Sequence, residues 1–165
     1  FVFRIWDYSF SKNLHITRKE AKEYIENYLD TYKGIKQYME DIVAIGKEKG
    51  YVETIMNRRR YIPELKSKNY NVRSFGERVA LNTPIQGSAA DIIKVAMVKF
   101  YNRLNEEKLK AKLILQVHDE LIVDCPKDER EKVLEIMKDV MTHAVDLKVD
   151  MKIDVNSADN WYDAK

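Results

Sequence analysis

His118, Asp119 and Glu120 stand side by side, and their side chains can ligate a metal or move a proton. Leu113, Leu115 and Val117 alternate with other residues before this triplet, and Leu121 and Val123 resume after it. The period of two predicts a pair of short strands over residues 111–125, with the triplet at the tip of their hairpin. Strands buried in a core would hold a carboxylate in a fixed place while the tip stays wet. Hard divalent cations such as Mg²⁺ take oxygen ligands, commonly one or two carboxylates plus substrate phosphates, so Asp119 and Glu120 are candidate catalytic metal ligands. Neighbours on a regular strand point to opposite faces, so both can serve one metal cluster only if the turn bends the backbone, and Asp119 is the stronger candidate. Aspartate is also frequent in turns because it bonds nearby backbone, and from the triplet alone the plain turn is the favoured reading.

Two carboxamides, Asn82 and Gln86, lie four residues apart. Each offers both donor and acceptor, which suits the minor-groove edge, where every Watson–Crick pair presents an acceptor at similar places. The local alternative is that Asn82 ends one helix and Gln86 satisfies the first turn of the next. Arg58, Arg59 and Arg60 are consecutive, and Lys66, Lys68, Arg73 and Arg78 follow with few acids among them. A guanidinium fork matches phosphate oxygens, although a charge run is usually a solvated face.

The elements that must carry these groups are legible in outline. Thr17 and Glu20 form a capping-box pattern, and Ala21, Tyr24, Ile25, Tyr28, Leu29 and Tyr32 recur at helical spacing until Gly34. Ile35, Tyr38, Met39, Ile42 and Ile45 predict a second helix that Gly50 ends. At that spacing the tyrosines read as core rather than as stacking platforms for bases. Residues 51–65 read as a short β-containing connection. From about Asn69 the pattern is helical, with Val72, Phe75, Val79 and Ala80 on one side. Pro84, with Thr83 as N-cap, predicts a break or kink at Asn82 and a new helix from Pro84. The apolar face of that helix runs through Ile85, Ala89, Ile92, Ile93, Ala96, Met97 and Phe100, and Gly87, Ser88, Ala89 and Ala90 are small enough for another backbone or a nucleic acid to come close. After Pro126, Val133, Ile136, Met137, Val140, Met141 and Ala144 predict a helix covering one face of the sheet. Val149, Met151, Ile153 and Val155 alternate as a last strand. The fold class is α+β.

The chain has 165 residues, enough for one core. Its 34% charged and 45% hydrophobic residues exclude a disordered or membrane-spanning class, and no apolar run approaches a bilayer's thickness. No N-terminal signal pattern appears, which implies an intracellular, cytoplasmic setting. A single cysteine, Cys125, excludes an internal disulfide and a cysteine-based zinc site. The net charge of +2 is too small to argue for nucleic-acid binding by itself.

The run LQVHDELIVDCP resembles the third sequence motif of the family A DNA polymerases, the bacterial DNA polymerase I group. YVETIMNRRRYIPEL from Tyr51 and ERVALNTPIQGSAADIIKVAMVKF from Glu77 match the same family in the same order. The resemblance runs from about Phe10 to Lys165, and SADNWYDAK is similar to the family's C-terminus. It implies a C-terminal piece of a polymerase, with fingers helices over residues 1–50 and a palm portion over residues 51–165 that carries the acidic hairpin at 111–125. It implies DNA-directed addition of deoxynucleotides to a primer end, in replication and repair, with two Mg²⁺ ions. The implied partners are primer-template DNA, deoxynucleoside triphosphates and the upstream part of the same chain, with no membrane.

By the same resemblance Asp119 binds catalytic metal with support from Glu120. Asn82, Gln86 and His118, with Arg78, face the minor groove of the nascent duplex, and Arg58, Arg59 and Arg60 lie near its backbone. The family's other metal-binding aspartate stands in a DYSQIELR-like motif. Asp7, Tyr8 and Ser9 supply only its first three letters, in the wrong place, so Asp7 is given no catalytic role. Phe3, Arg4 and Trp6 depart from the family pattern, and residues 1–6 are given no function. The fragment alone is expected to be inactive. The competing readings are a non-catalytic nucleic-acid-binding module and a relative of the single-subunit RNA polymerases.

Overall fold

The computed structural model describes residues 7–164, and the side chains of residues 10–164. Phe1 to Trp6 and the side chain of Asp7 lie outside the described residues. The described residues are helical with two small antiparallel sheets, the α+β class expected. They gather into two compact units that divide between Ser88 and Ala89.

In the first unit, α1 (Asp7–Leu14) is followed by α2 (Arg18–Thr31) and α3 (Lys33–Lys49). A helix forms at α1 although its sequence has no clear period. The capping box at the head of α2 is complete: Glu20 N donates to Thr17 Oγ1 at 3.2 Å, and Thr17 N donates to Glu20 Oε2 at 2.8 Å. Gly34 does not end this run. The chain turns at Tyr32, which caps both helices, and Gly34 sits in the first turn of α3. Gly50 ends α3 in the left-handed region, φ 80°, as the sequence requires. The tyrosines are not core: Tyr24 and Tyr32 are more than half exposed, and Tyr28 and Tyr32 pack on each other with ring centroids 4.9 Å apart. Helical spacing gives a face but not what covers it.

β1 (Tyr51–Glu53) and β2 (Arg59–Tyr61) form a hairpin, and a 3₁₀ turn at Pro63–Lys66 leads to α4 (Tyr70–Glu106). The core of this unit is Val52, Ile62, Leu65 and Ala80. Gly46 and Gly76 make it possible, because a Cβ on Gly76 would lie 2.9 Å from Leu65 N and one on Gly46 2.9 Å from Leu65 Cδ1. Val72 and Phe75 stay exposed, and the buried strip of α4 in this unit runs through Ser74, Gly76, Ala80, Leu81 and Thr83 instead.

α4 does not break at Asn82, and Thr83 is not an N-cap. Pro84 lacks an N–H, so the carbonyl four residues back loses its usual partner. Hydroxyls bond back along the same stretch: Thr83 Oγ1 donates to Val79 O at 2.7 Å, and Ser88 Oγ donates to Pro84 O. Neither hydroxyl reaches the Ala80 carbonyl that Pro84 leaves unpartnered, and back-bonding of this kind goes with helix bending rather than helix breaking. The small residues do admit a close neighbour, since Ile55 N donates to Ser88 Oγ at 2.8 Å and a Cβ on Gly87 would lie 2.6 Å from Thr54 Cγ2.

In the second unit α4 ends in a left-handed residue, Lys108 with φ 54°, where Leu109 N reaches Leu104 O at 2.9 Å. β3 (Lys112–Val117) and β4 (Glu120–Asp124) follow, then α5 (Arg130–Thr142). Phe100, Leu104, Ala111, Val133, Ile136 and Val140 form its core, with Leu113 and Val123 packed against them. Each buried aliphatic or phenyl group stabilises by about 1.5–3 kcal/mol. Glu129 pins the start of β3 by accepting from Lys110 N at 2.9 Å and Ala111 N at 3.0 Å. Lys99 Nζ donates to His143 O and Ala144 O, both at 2.9 Å, just past the end of α5.

The last strand expected over residues 149–155 does not form. Met151, Ile153 and Val155 are half-buried and alternate with exposed Asp150, Lys152 and Asp154, but no described strand pairs with them. Alternation records which side chains are covered. A ladder also needs a neighbour with free backbone groups.

Candidate metal and nucleic-acid interface

Val117 pairs with Glu120, leaving His118 and Asp119 as a two-residue link between β3 and β4. The acidic triplet is therefore at a hairpin tip. His118 takes φ 52° and Asp119 does not have positive φ, the sign pattern of a II′ turn, which suits the right-handed twist of paired strands. A residue other than glycine in that region is strained, and such strain collects at functional positions. Asp119 and Glu120 are exposed, and neither accepts a hydrogen bond or ion pair from any described residue. An aspartate that only made its turn would bond the nearby backbone. Asp119 does not, so its carboxylate is left for something else.

The strands do not alternate as simply as the sequence suggests. Leu113 pairs with Val123 and Leu115 pairs with Ile122, so Ile114 is an extra residue, a bulge in β3. Leu113 consequently faces the core, while Leu115 and Val117 share the opposite face with Ile122. Ile114 and Leu115 are 60% and 45% exposed, so the second face of the hairpin is apolar and open among the described residues.

In the other unit, Arg78, Asn82 and Gln86 fall four residues apart along one unbroken helix and therefore on one stripe. A break at Asn82 would have separated them. The Arg78 guanidinium lies 3.5 Å from Ser74 Oγ and 5.7 Å from the Phe75 ring centroid. Gln86 is exposed. Asn82 is half-buried, and its Oδ1 is enclosed without a hydrogen-bond partner among the described residues.

The three arginines are not equivalent. Arg59 donates to Glu53 at 3.0 Å and stacks over Tyr51 at 4.8 Å, and Tyr51 in turn packs edge-on to Tyr61 at 5.5 Å. The bond to Glu53 raises the Arg59 pKa further above its ordinary value, with Tyr51 adding to it. Arg60, on the opposite face of β2, is exposed, and its side chain makes no ion pair or hydrogen bond with any described residue. Gln116, which the sequence reading passed over, donates from Nε2 to His118 O at 2.6 Å. Its signal was the amide two residues before the turn, hidden because the bulge changes which way it faces.

No group of three or more His, Cys, Asp or Glu converges among the described residues, so those residues offer at most part of a metal shell. Two adjacent uncommitted carboxylates still fit a hard cation such as Mg²⁺, which keeps waters and takes its other ligands from phosphates. Cys125 adds nothing: burial first, then Glu129, Asp124 and Asp128, push its thiol pKa up, and Sγ–H donates to Pro126 O at 3.2 Å.

Along the chain, a helix stripe of Arg, Asn and Gln precedes an acidic hairpin tip. The chain belongs to DNA polymerase family A, whose model matches residues 1–163. It is 57% identical over 164 residues to DNA polymerase I of Bacillus subtilis and 55% identical to that of Bacillus caldotenax. Each match covers 99% of this chain and 19% of the relative, so the chain spans about a fifth of those proteins. Among solved structures, the POL domain of Pol1 from M. smegmatis, in complex with DNA primer-template and dNTP, superimposes with a TM-score of 0.87 at 39% identity. That match covers 92% of this chain and 27% of the other.

Proposed function

We propose that this chain is the C-terminal part of a DNA-directed DNA polymerase of the bacterial polymerase I type, acting in the cytoplasm in replication and repair. Residues 1–50 belong to the end of its fingers, and residues 51–165 belong to the part of the palm that bears the acidic hairpin. The observation that carries this reading is the uncommitted Asp119 carboxylate on a strained two-residue turn, in a chain of this family.

In this reading the primer 3′-hydroxyl attacks the α-phosphate of a deoxynucleoside triphosphate and pyrophosphate leaves. Bound Mg²⁺ would stabilise the attacking and leaving oxygens. Asp119 would hold the metal, and Glu120 would support it directly or through water. The Asn82 and Gln86 amides and His118 meet the minor-groove edge of the new base pairs, where acceptors occupy similar places in every pair. These contacts check shape without reading sequence. Arg78 adds charge beside the stripe. Arg60 takes the backbone phosphate, since Arg59 is held by Glu53 and Tyr51. Arg58 flanks it.

The test is Asp119→Ala in the complete polymerase. Single-nucleotide incorporation with Mg²⁺ is expected to fall on the order of 10³-fold, as when one group that stabilises transition-state charge is removed. Primer-template affinity should stay within about threefold. Turnover near the unmodified rate would overturn the assignment.

A further inference from the structure

We infer that Gln116 is a positioning residue for Asp119, an inference that rests on the reading of Asp119 as a metal ligand. The carbonyl that receives the Gln116 amide, at 2.6 Å, belongs to His118 and so to the peptide that joins His118 to Asp119. The orientation of that peptide sets where the Asp119 Cα, and with it the carboxylate, points. His118 is left-handed without being glycine, φ 52°, so its backbone has other wells to relax into. An amide anchored on β3 and bonded to the turn carbonyl closes those exits. Because the acceptor is a carbonyl, the nitrogen end of the Gln116 amide must face it, which fixes the otherwise ambiguous orientation of the group.

The bulge at Ile114 is the second observation. Gln116 pairs with Leu121 beyond the bulge, which places its side chain on the same face as Leu113, Leu121 and Val123. Without the extra residue, Gln116 would lie on the face opposite Leu113. Bulges beside active sites re-aim side chains in this way. A plain turn of two residues needs neither device. Here both converge on the one peptide next to the candidate ligand, and Asp119 itself contributes no bond to the arrangement.

The experiment uses the complete polymerase and compares Gln116→Met, which keeps length and loses the donor, with Gln116→Lys, which restores a donor of similar reach. With Gln116→Met, kcat for single-nucleotide incorporation should fall about tenfold, the scale of a modest misplacement of a catalytic group. KM for the nucleotide and primer-template Kd should move less than about twofold. Mn²⁺ binding to a complex with a chain-terminated primer, read by electron paramagnetic resonance without turnover, should weaken in parallel, and Gln116→Lys should recover most of both. Should Gln116→Met fail to fold, Gln116→Glu, equal in shape and lacking the donor, takes its place. Wild-type kcat and Mn²⁺ affinity in the donor-less variant, with Asp119→Ala defective in both, would overturn the role of Gln116 alone. Wild-type Mn²⁺ affinity and turnover in Asp119→Ala would overturn the metal reading itself. A loss confined to DNA affinity would make Gln116 a DNA contact and also overturn the inference.

Discussion

At the scale of single residues, what separates candidates is whether a side chain is already spoken for. Arg59 and Arg60 are neighbours of the same type, but one is bonded to Glu53 and stacked on Tyr51 while the side chain of the other bonds to no described residue. Arg60→Ala in the complete polymerase should therefore weaken primer-template binding at low salt several-fold and reduce the slope of log K against log salt by about one. Arg59→Ala should leave that slope nearly unchanged and instead lower the melting temperature. Equal slopes in the two variants would remove the distinction. None of this was legible in three consecutive arginines, since which one is engaged depends on strand pairing that puts Arg59 opposite Glu53. Asp119, Asn82 and Gln86 became candidates through the order of motifs that resemble the family rather than through their own chemistry.

At the scale of elements, the sequence showed helices better than it showed where they stop or what covers them. The capping box, the Gly50 stop and the helix at Arg130–Thr142 follow from local rules, and the structure has them. The bonds from Thr17, backbone first and then hydroxyl, hold the Glu20 carboxyl below the ordinary value of 4.5. A lowered carboxyl contributes stability that is fully present above its unfolded value and is lost as pH falls through the folded one. Circular dichroism of wild type minus Glu20→Gln should show an α2 difference that fades on acidification below about 4.5 and is flat above it. The unbroken α4 and the bulged β3 were illegible for a physical reason. Whether a helix runs on through a proline is decided by tertiary context that overrides local propensity, and a bulge shows only against a partner strand. Packing around glycine is equally non-local. Gly76→Ala puts a methyl 2.9 Å from the Leu65 amide and 3.1 Å from the Glu64 carbonyl carbon, atoms of backbone that cannot swing aside. It should destabilise by about 1–3 kcal/mol in a thermal or urea melt. An unchanged melt would mean that the 3₁₀ turn at Pro63–Lys66 is free to retreat.

At the scale of the whole molecule, the question is what 165 residues that span a fifth of their relatives do alone. By the resemblance, a second metal-binding aspartate stands in a DYSQIELR-like run, and these 165 residues hold no such run. Among the described residues no three metal-ligating side chains gather, and the acidic tip supplies two carboxylates from one turn. A two-metal clamp on attacking and leaving oxygens needs ligands on more than one side of the reacting phosphate. The net charge of +2 adds no compensating field to concentrate nucleotide. The isolated chain should therefore give no primer extension above background with Mg²⁺ and all four deoxynucleoside triphosphates. The same residues within the complete polymerase should support extension that Asp119→Ala removes. Robust synthesis by the isolated chain would show that its carboxylates suffice. Extension by the complete protein that ignores Asp119, together with steeply salt-dependent DNA binding, would leave these residues a binding module. The contrast between the two constructions tests the chain's place in the enzyme, because only a part that completes a shared site is silent alone and indispensable in place.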